Sequence, residues 1–123
     1  MNTREKIVAP SALDGRRIIL VSAYFDPLLD WHAERLAALR PTDGLLAALV
    51  LPLGGALLPQ RARAELAAAL RVIDYVLIAP GPDPNLAEDL IRALNPTQVF
   101  RLAEEDLRRR AELIAHVRSR QTR

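Results

Sequence analysis

The chain has 123 residues, half of them hydrophobic, with no cysteine, two histidines and a formal net charge of +2. This length suits one domain with a packed core, and the composition excludes disulfides, thiolate metal sites and cysteine nucleophiles. With two histidines we expect no metal held by the protein alone. No apolar run reaches membrane-spanning length and the first ten residues lack the apolar centre of a signal peptide, so we expect a cytoplasmic protein without membrane contact.

The first third of the chain predicts an arm, a strand, a loop and a helix. Residues 1–15 are mixed in character and predict an irregular N-terminal arm with one helical turn near 11–13. The apolar run 18–21 predicts a strand buried on both faces, which ends before Pro27. Asp30 is predicted to cap a helix over 31–39. A strand, a short loop and a helix N-terminus form an anion site by geometry, because free N–H groups point into the loop.

Strands and helices continue to alternate along the remaining chain. Further strands are predicted at 45–51, 75–79 and 98–102, and helices at 60–71, 85–94 and 104–118. The alternation predicts a three-layer α/β/α domain over residues 16–119 with a parallel sheet, followed by a frayed tail at 120–123. Ligands of such sheets bind outside the carboxyl ends of the strands. The apolar spacing of the three later helices predicts inward faces formed by Leu66, Ala69, Leu70, Leu86, Leu90, Ile91, Leu94, Leu107, Ala111, Ile114 and Val117.

Three stretches resemble one known family. Residues 15–36 contain a strand, Phe25-Asp26 and a histidine at the helix start; residues 59–74 read PQRARAELAAALRVID; residues 86–101 read LAEDLIRALNPTQVFR. Together they resemble the cytidylyltransferase-like nucleotidyltransferases, the family of glycerol-3-phosphate cytidylyltransferase and of the nucleotidyl-transfer domain of ADP-heptose synthase. The resemblance implies a Rossmann-like fold. It also implies attack of a substrate phosphate on the α-phosphorus of a nucleoside triphosphate, with release of pyrophosphate.

The resemblance also implies a set of site residues. His32 corresponds to the second histidine of the family's His-x-Gly-His signature and is the candidate catalytic residue. The resemblance implies Mg²⁺ with CTP or ATP, and a phosphorylated sugar or polyol as acceptor, if the chain is active. Independently of the resemblance, the apolar half of the composition leaves room for a homodimer interface. The implied nucleotide- and phosphate-binding residues are Ala23, Tyr24, Phe25, Asp26, Arg63 and Arg101.

The same signature departs from the family at two of its three defining positions, since it reads Leu29-Asp30-Trp31-His32. Leu29 removes a histidine, and the loss of one preorganised donor costs on the order of 10²–10³ in rate. Trp31 fills the space that a glycine would leave for phosphate, so Leu29 and Trp31 are predicted to block the pocket. We therefore expect a degenerate, catalytically weak or inactive domain with at most residual nucleotide or phosphate binding and an interaction or regulatory role.

Two alternatives remain open from the sequence. The first is an active nucleotidyltransferase that couples a nucleoside triphosphate to a phosphorylated acceptor. The second and weaker one is nucleic-acid binding through the arginine-rich C-terminal helix, although the small charge surplus argues against nucleic acid as a partner. The competing interpretation of that helix is a solvated face, on which arginines 108–110 pair with Glu104, Glu105, Asp106 and Glu112. Similarly, His32 and Arg63 are either phosphate ligands or exposed helix residues.

Overall fold

The computed structural model describes residues 2–121, which fold as alternating strands and helices. Two short 3₁₀ helices (Thr3–Lys6 and Pro10–Leu13) precede the first strand. The chain then forms β1 (Ile18–Ala23), α1 (Asp30–Leu39), β2 (Leu45–Val50), α2 (Gln60–Ala68), β3 (Tyr75–Ile78), α3 (Pro84–Leu94), β4 (Gln98–Arg101) and α4 (Ala103–Gln121). Within these residues no helix combines the length and the apolar content needed to cross a bilayer.

The sheet is fully parallel, with the strand order β3-β2-β1-β4. Successive residues of β1 and β2 alternate between two apolar clusters, because side chains of a strand point to opposite faces. One cluster contains residues of α1 and α2, and the other contains residues of α3 and Leu13. Helices therefore cover both faces, and the predicted α/β fold with a parallel, Rossmann-like sheet is confirmed.

The helix faces differ from the sequence prediction. Leu66, Leu86, Leu107 and Val117 were expected inside, but all four are among the most exposed large apolar side chains. On α2 the buried face consists instead of small alanines together with Arg63, which lets this helix lie close to the sheet. The apolar period alone does not show which side of a helix meets the sheet, because alanine supplies a buried face as readily as leucine.

Helix starts also differ by one or two residues. Helix α1 begins at Asp30, so Leu29 occupies the N-cap position that was predicted for Asp30. Helix α3 begins at Pro84, and Asp83 caps it by accepting the Asn85 N–H, at 2.9 Å. Proline at the first helical position explains this shift, since its missing N–H would have no helical partner there.

The N-terminal arm packs on the domain. Ile7 forms a bridge with Val76 of β3, the Val8 N–H donates to the Val76 carbonyl at 3.0 Å, and Leu13 is buried. At the other end α4 continues through Gln121, so the first two residues of the predicted frayed tail are helical. Residues 122 and 123 of that tail lie outside the described residues.

Candidate functional site

The loop between β1 and α1 presents two backbone N–H groups to one point. Phe25 adopts a left-handed backbone conformation (φ 52°), which is costly for a bulky residue and marks a sharp turn of the loop. Consecutive N–H groups that converge in this way form an anion-binding nest. Both groups donate to Asp106 Oδ2, at 2.8 Å from Tyr24 and 3.0 Å from Phe25. The nest therefore holds a carboxylate of the chain itself.

His32 contacts the same carboxylate. Its Nε2 lies 2.9 Å from Asp106 Oδ1, and its Nδ1 accepts the Leu29 N–H at 2.9 Å. Because Nδ1 accepts a hydrogen bond from a backbone amide, the ring proton sits on Nε2 and is donated to Asp106. The imidazole is fully buried. His32 is thus on the predicted loop, but both of its nitrogens already have partners within the chain.

Asp106 reaches the loop because of the sheet topology. β4 lies beside β1, and the Leu102 N–H continues the ladder to the Ser22 carbonyl at 2.9 Å. Helix α4 starts at the next residue, so its first turn stands directly over the carboxyl end of β1. Asp106 is 2% exposed. The sequence interpretation placed it on a solvated face, which is wrong. The signal that could have found it is its place in a first helical turn directly after a strand at the ligand edge.

Asp26 organises the neighbouring loop. Its carboxylate is buried and accepts the N–H groups of Leu57 (2.7 Å) and Leu58 (2.9 Å), and Arg110 of α4 donates to it at 3.1 Å. Burial alone would raise the pKa of this carboxyl, but the two amides and the guanidinium together hold the pKa below its ordinary value of 3.8. Asp26 therefore joins the β1–α1 loop to the β2–α2 loop and to α4 as a carboxylate that is ionised at neutral pH.

Arg63 is buried and turned toward backbone carbonyls. Its Nη1 donates to the carbonyls of Tyr24 and Leu51, each at 2.8 Å, and its Nε donates to Leu58 at 3.1 Å. Burial lowers the pKa of the guanidinium, and the nearby charges of Asp26 and Asp106 oppose this effect. Arg63 thus lies close to the predicted site, where it satisfies backbone carbonyls just after β1 and β2 instead of being exposed to solvent.

Trp31 covers the histidine. The indole stacks on the His32 ring, with centroids 3.9 Å apart, and the Arg109 guanidinium lies 4.7 Å from the indole centroid. The indole Nε1 is buried and has no hydrogen-bond partner within residues 2–121. Leu29 is half-buried at the start of α1. Trp31 therefore shields the imidazole, whereas the nest itself is filled by Asp106.

The other predicted residues lie at the edges of this arrangement. Ala23 is buried at the end of β1, and its carbonyl accepts the Leu51 N–H at 2.9 Å. Arg101 is exposed and pairs with Glu88 of α3 at 2.9 Å, on the far side of the sheet from α1. The structure therefore gathers Tyr24, Phe25, Asp26, His32 and Arg63 around one loop and leaves Arg101 outside it.

An open cleft of about 430 Å³ lies beside this loop at the carboxyl edge of the sheet. Its walls come from Tyr24, the segment after β2, the start of α3 and Ala103. Among the described lining residues Glu88 alone carries a charge, and Arg101 already neutralises it. The cleft lies where parallel sheets bind ligands, but its lining offers an incoming phosphate no free cation.

The three arginines in the first half of α4, residues 108–110, are paired within the molecule. Arg108 lies near Glu105 and Glu112, Arg109 contacts Glu105 at 3.0 Å, and Arg110 is bound to Asp26. Glu105 also receives a bidentate contact from Arg35, at 2.8 and 3.1 Å. The predicted pairing of this helix face is confirmed for Glu105 and Glu112, and the prediction of nucleic-acid binding stays a prediction.

The parallel four-stranded sheet and its covering helices place the chain among Rossmann-like α/β proteins. No protein-family model and no curated protein matches the sequence. The family resemblance therefore stays a hypothesis about a chain whose fold class is shown.

Proposed function

We propose that the chain is a degenerate nucleotidyltransferase-like domain whose anion position is filled by its own Asp106, and that it acts through interaction rather than catalysis. The observation that carries this proposal is the carboxylate that receives three N–H groups, from Tyr24, Phe25 and His32. These are the donors that the family resemblance assigns to the triphosphate.

A phosphate has to compete with a tethered anion for this position. Asp106 is held there by β4 and by the first turn of α4, so its local concentration at the nest is very high. While the carboxylate stays, a phosphoryl group about 4 Å away is repelled rather than attracted. If the carboxylate leaves, the domain loses a buried and fully hydrogen-bonded contact. Both routes disfavour nucleotide binding at the loop.

The other polar groups of the site also have no unoccupied hydrogen-bonding positions for the chemistry that the family resemblance implies. Both nitrogens of His32 are engaged, so the ring offers no donor to a leaving pyrophosphate in this conformation. Asp26 and Asp106 are saturated by N–H groups and Arg110, and the described residues hold no cluster suited to a metal ion. The residues present therefore do not fit a Mg²⁺–triphosphate.

The experiment is a titration of the protein with inorganic pyrophosphate, CTP and ATP by calorimetry, with and without Mg²⁺. We expect no heat of binding from the wild-type chain up to about 1 mM ligand. A dissociation constant of about 1 mM corresponds to a binding free energy of roughly −4 kcal/mol, so any binding should be weaker than this. Asp106→Ala frees the nest and is expected to gain pyrophosphate binding. Glu104→Ala is the matched control, because it removes the same charge from an exposed position of the same helical turn.

Two results contradict the proposal. The first is wild-type binding of a nucleotide that His32→Ala weakens. The second is pyrophosphate release with a phosphorylated sugar or polyol that His32→Ala abolishes, since turnover requires the nest to be open to substrate. Circular dichroism of each variant shows whether it is folded, and Asp106→Ser serves where the alanine variant unfolds.

A further inference from the structure

Helix α4 carries a stripe of residues at alternating three- and four-residue spacing. Glu104, Leu107, Ala111, Ile114 and Arg118 follow this spacing, which places them along one side of the helix. The apolar centre of the stripe is accessible: Leu107 is 40% exposed, Ala111 is exposed and Ile114 is half-buried. An apolar seam flanked by charges is typical of helix–helix contacts, yet the domain does not cover it.

The domain holds α4 by a different side. Asp106 enters the nest, Arg110 binds Asp26 and the Gly55 carbonyl, and Glu105 binds Arg35. These docking contacts come from the first two turns. The stripe is therefore turned away from the sheet, while the second half of the 19-residue helix carries mostly exposed residues.

We propose that two copies of the chain associate by antiparallel packing of this stripe, with the helices crossing near Ala111. The stripe is acidic at one end and basic at the other, so an antiparallel two-fold arrangement places Glu104 of each copy near Arg118 of its partner. Neither side chain has a hydrogen bond or an ion pair within the described part of the chain, so both charges are available to a second copy. The small side chain of Ala111 allows a close approach at the crossing point.

The charge pattern favours a second copy of the chain as the partner, and it favours the antiparallel orientation. A parallel pair would bring Glu104 against Glu104 and Arg118 against Arg118, and like charges at a contact are repulsive. In an antiparallel two-fold dimer each end of the stripe meets the opposite end of its copy, so the acidic and basic ends of this stripe pair favourably. The inference goes beyond the proposed function and does not depend on whether the loop binds nucleotide.

The size of the stripe sets the expected strength. The fourteen steps from Glu104 to Arg118 span about 21 Å of helix. This seam is smaller than the roughly 800 Å² per partner of a standard stable interface. The dimer is therefore expected to dissociate in the micromolar range and to weaken as the salt concentration rises, because the terminal pairs are exposed to solvent.

Sedimentation velocity of the full chain between about 5 and 500 µM tests the proposal at a salt concentration that leaves exposed charges unscreened. We expect a concentration-dependent dimer that Leu107→Glu weakens at least tenfold. Leu66→Glu is the control, since Leu66 has a similar exposure of 43% but lies on α2. A chain that stays monomeric throughout, or a dimer that Leu107→Glu leaves unchanged, overturns the inference.

Charge reversal tests the orientation. Glu104→Arg and Arg118→Glu should each weaken the dimer several-fold, whereas the variant carrying both changes should dimerise like the wild type. A mixture of the two single variants should form a heterodimer, because one copy then has two basic ends and the other two acidic ends. Arg120→Glu, off the stripe, should have no effect. Unchanged dissociation constants for both single reversals, or failure of the double variant to recover, refute the antiparallel arrangement.

Discussion

The substitution Asp106→Asn tests the central contact of the structure with almost no change in size. In the wild type, Oδ2 accepts two backbone N–H groups and Oδ1 accepts the His32 Nε2–H. Asparagine can keep its oxygen in the nest, but its NH₂ group then faces the ring N–H of His32. The imidazole cannot resolve this clash by moving its proton to Nδ1, because Nδ1 already accepts the Leu29 N–H. At least one buried donor is therefore left unsatisfied in every arrangement.

The expected loss of stability follows from these contacts. Hydrogen bonds to a charged group contribute about 1.5–3 kcal/mol each, and an unsatisfied buried donor costs about 1–3 kcal/mol. Two bonds weaken in Asp106→Asn and one is lost, so we expect the free energy of unfolding to fall by about 3–4 kcal/mol. For a domain of this size the melting temperature should fall by roughly 10–15 °C.

Urea unfolding followed by far-UV circular dichroism measures this change. Glu104→Gln is the matched control, because it neutralises an exposed carboxylate in the same turn. At a protein concentration too low for the proposed dimer, it should stay within about 0.5 kcal/mol of the wild type. A loss below 1 kcal/mol for Asp106→Asn would refute the reasoning, since a carboxylate that can be neutralised so easily is not the anion that holds the nest.

Two further predictions concern the groups around the nest. Because folding depresses the pKa of Asp26, its stabilisation is complete above the unfolded value of 3.8 and is lost as pH falls through the folded pKa. Asp26→Asn should therefore lower the free energy of unfolding by about 3 kcal/mol at pH 7 and by progressively less below about pH 4. Urea unfolding of the wild type and of the variant across this pH range measures the difference. Arg63→Lys should cost about 2 kcal/mol in the same assay, since one ammonium cannot reproduce donors aimed at three carbonyls, whereas exposed Arg61→Lys should be neutral. The Asp26 assignment would be contradicted if the difference in unfolding free energy between the wild type and Asp26→Asn were the same at every pH. The Arg63 assignment would be contradicted if Arg63→Lys left the unfolding free energy unchanged.

The fold class follows from sequence pattern because its signals are local. Continuous apolar runs such as residues 45–50 identify strands buried on both faces, and Pro or Gly between periodic segments marks the connections. Helix faces were less predictable. On α4 the apolar stripe through Leu107 was expected inside, but the side that meets the domain is set by Asp106 and Arg110, whose partners lie far away in sequence.

The candidate site could be located from the sequence, but its contents could not. The loop between the first strand and the first helix was expected to bind an anion, and the converging N–H groups of Tyr24 and Phe25 have the geometry of an anion site. Asp106 is separated from them by about eighty residues, and one acidic residue among three in a first helical turn does not reveal which one is buried. Only the neighbouring positions of β1 and β4 decide that this carboxylate meets the loop.

The contact with Asp106 gives the anion-binding geometry of this loop a structural role. Phe25 is in a left-handed conformation, and two converging backbone N–H groups would be costly to bury without an acceptor. A carboxylate from α4 accepts both of these N–H groups and the His32 proton, so the strained loop anchors the last helix to the sheet.

A domain whose C-terminal helix is anchored through its first two turns can present the other side of that helix to a second molecule. On this argument, the substitution that empties the nest should loosen α4 and weaken the proposed dimer together. Asp106→Ala should therefore raise the dimer dissociation constant although Asp106 lies outside the stripe, and sedimentation at increasing protein concentration would show an unchanged constant if the two features are independent.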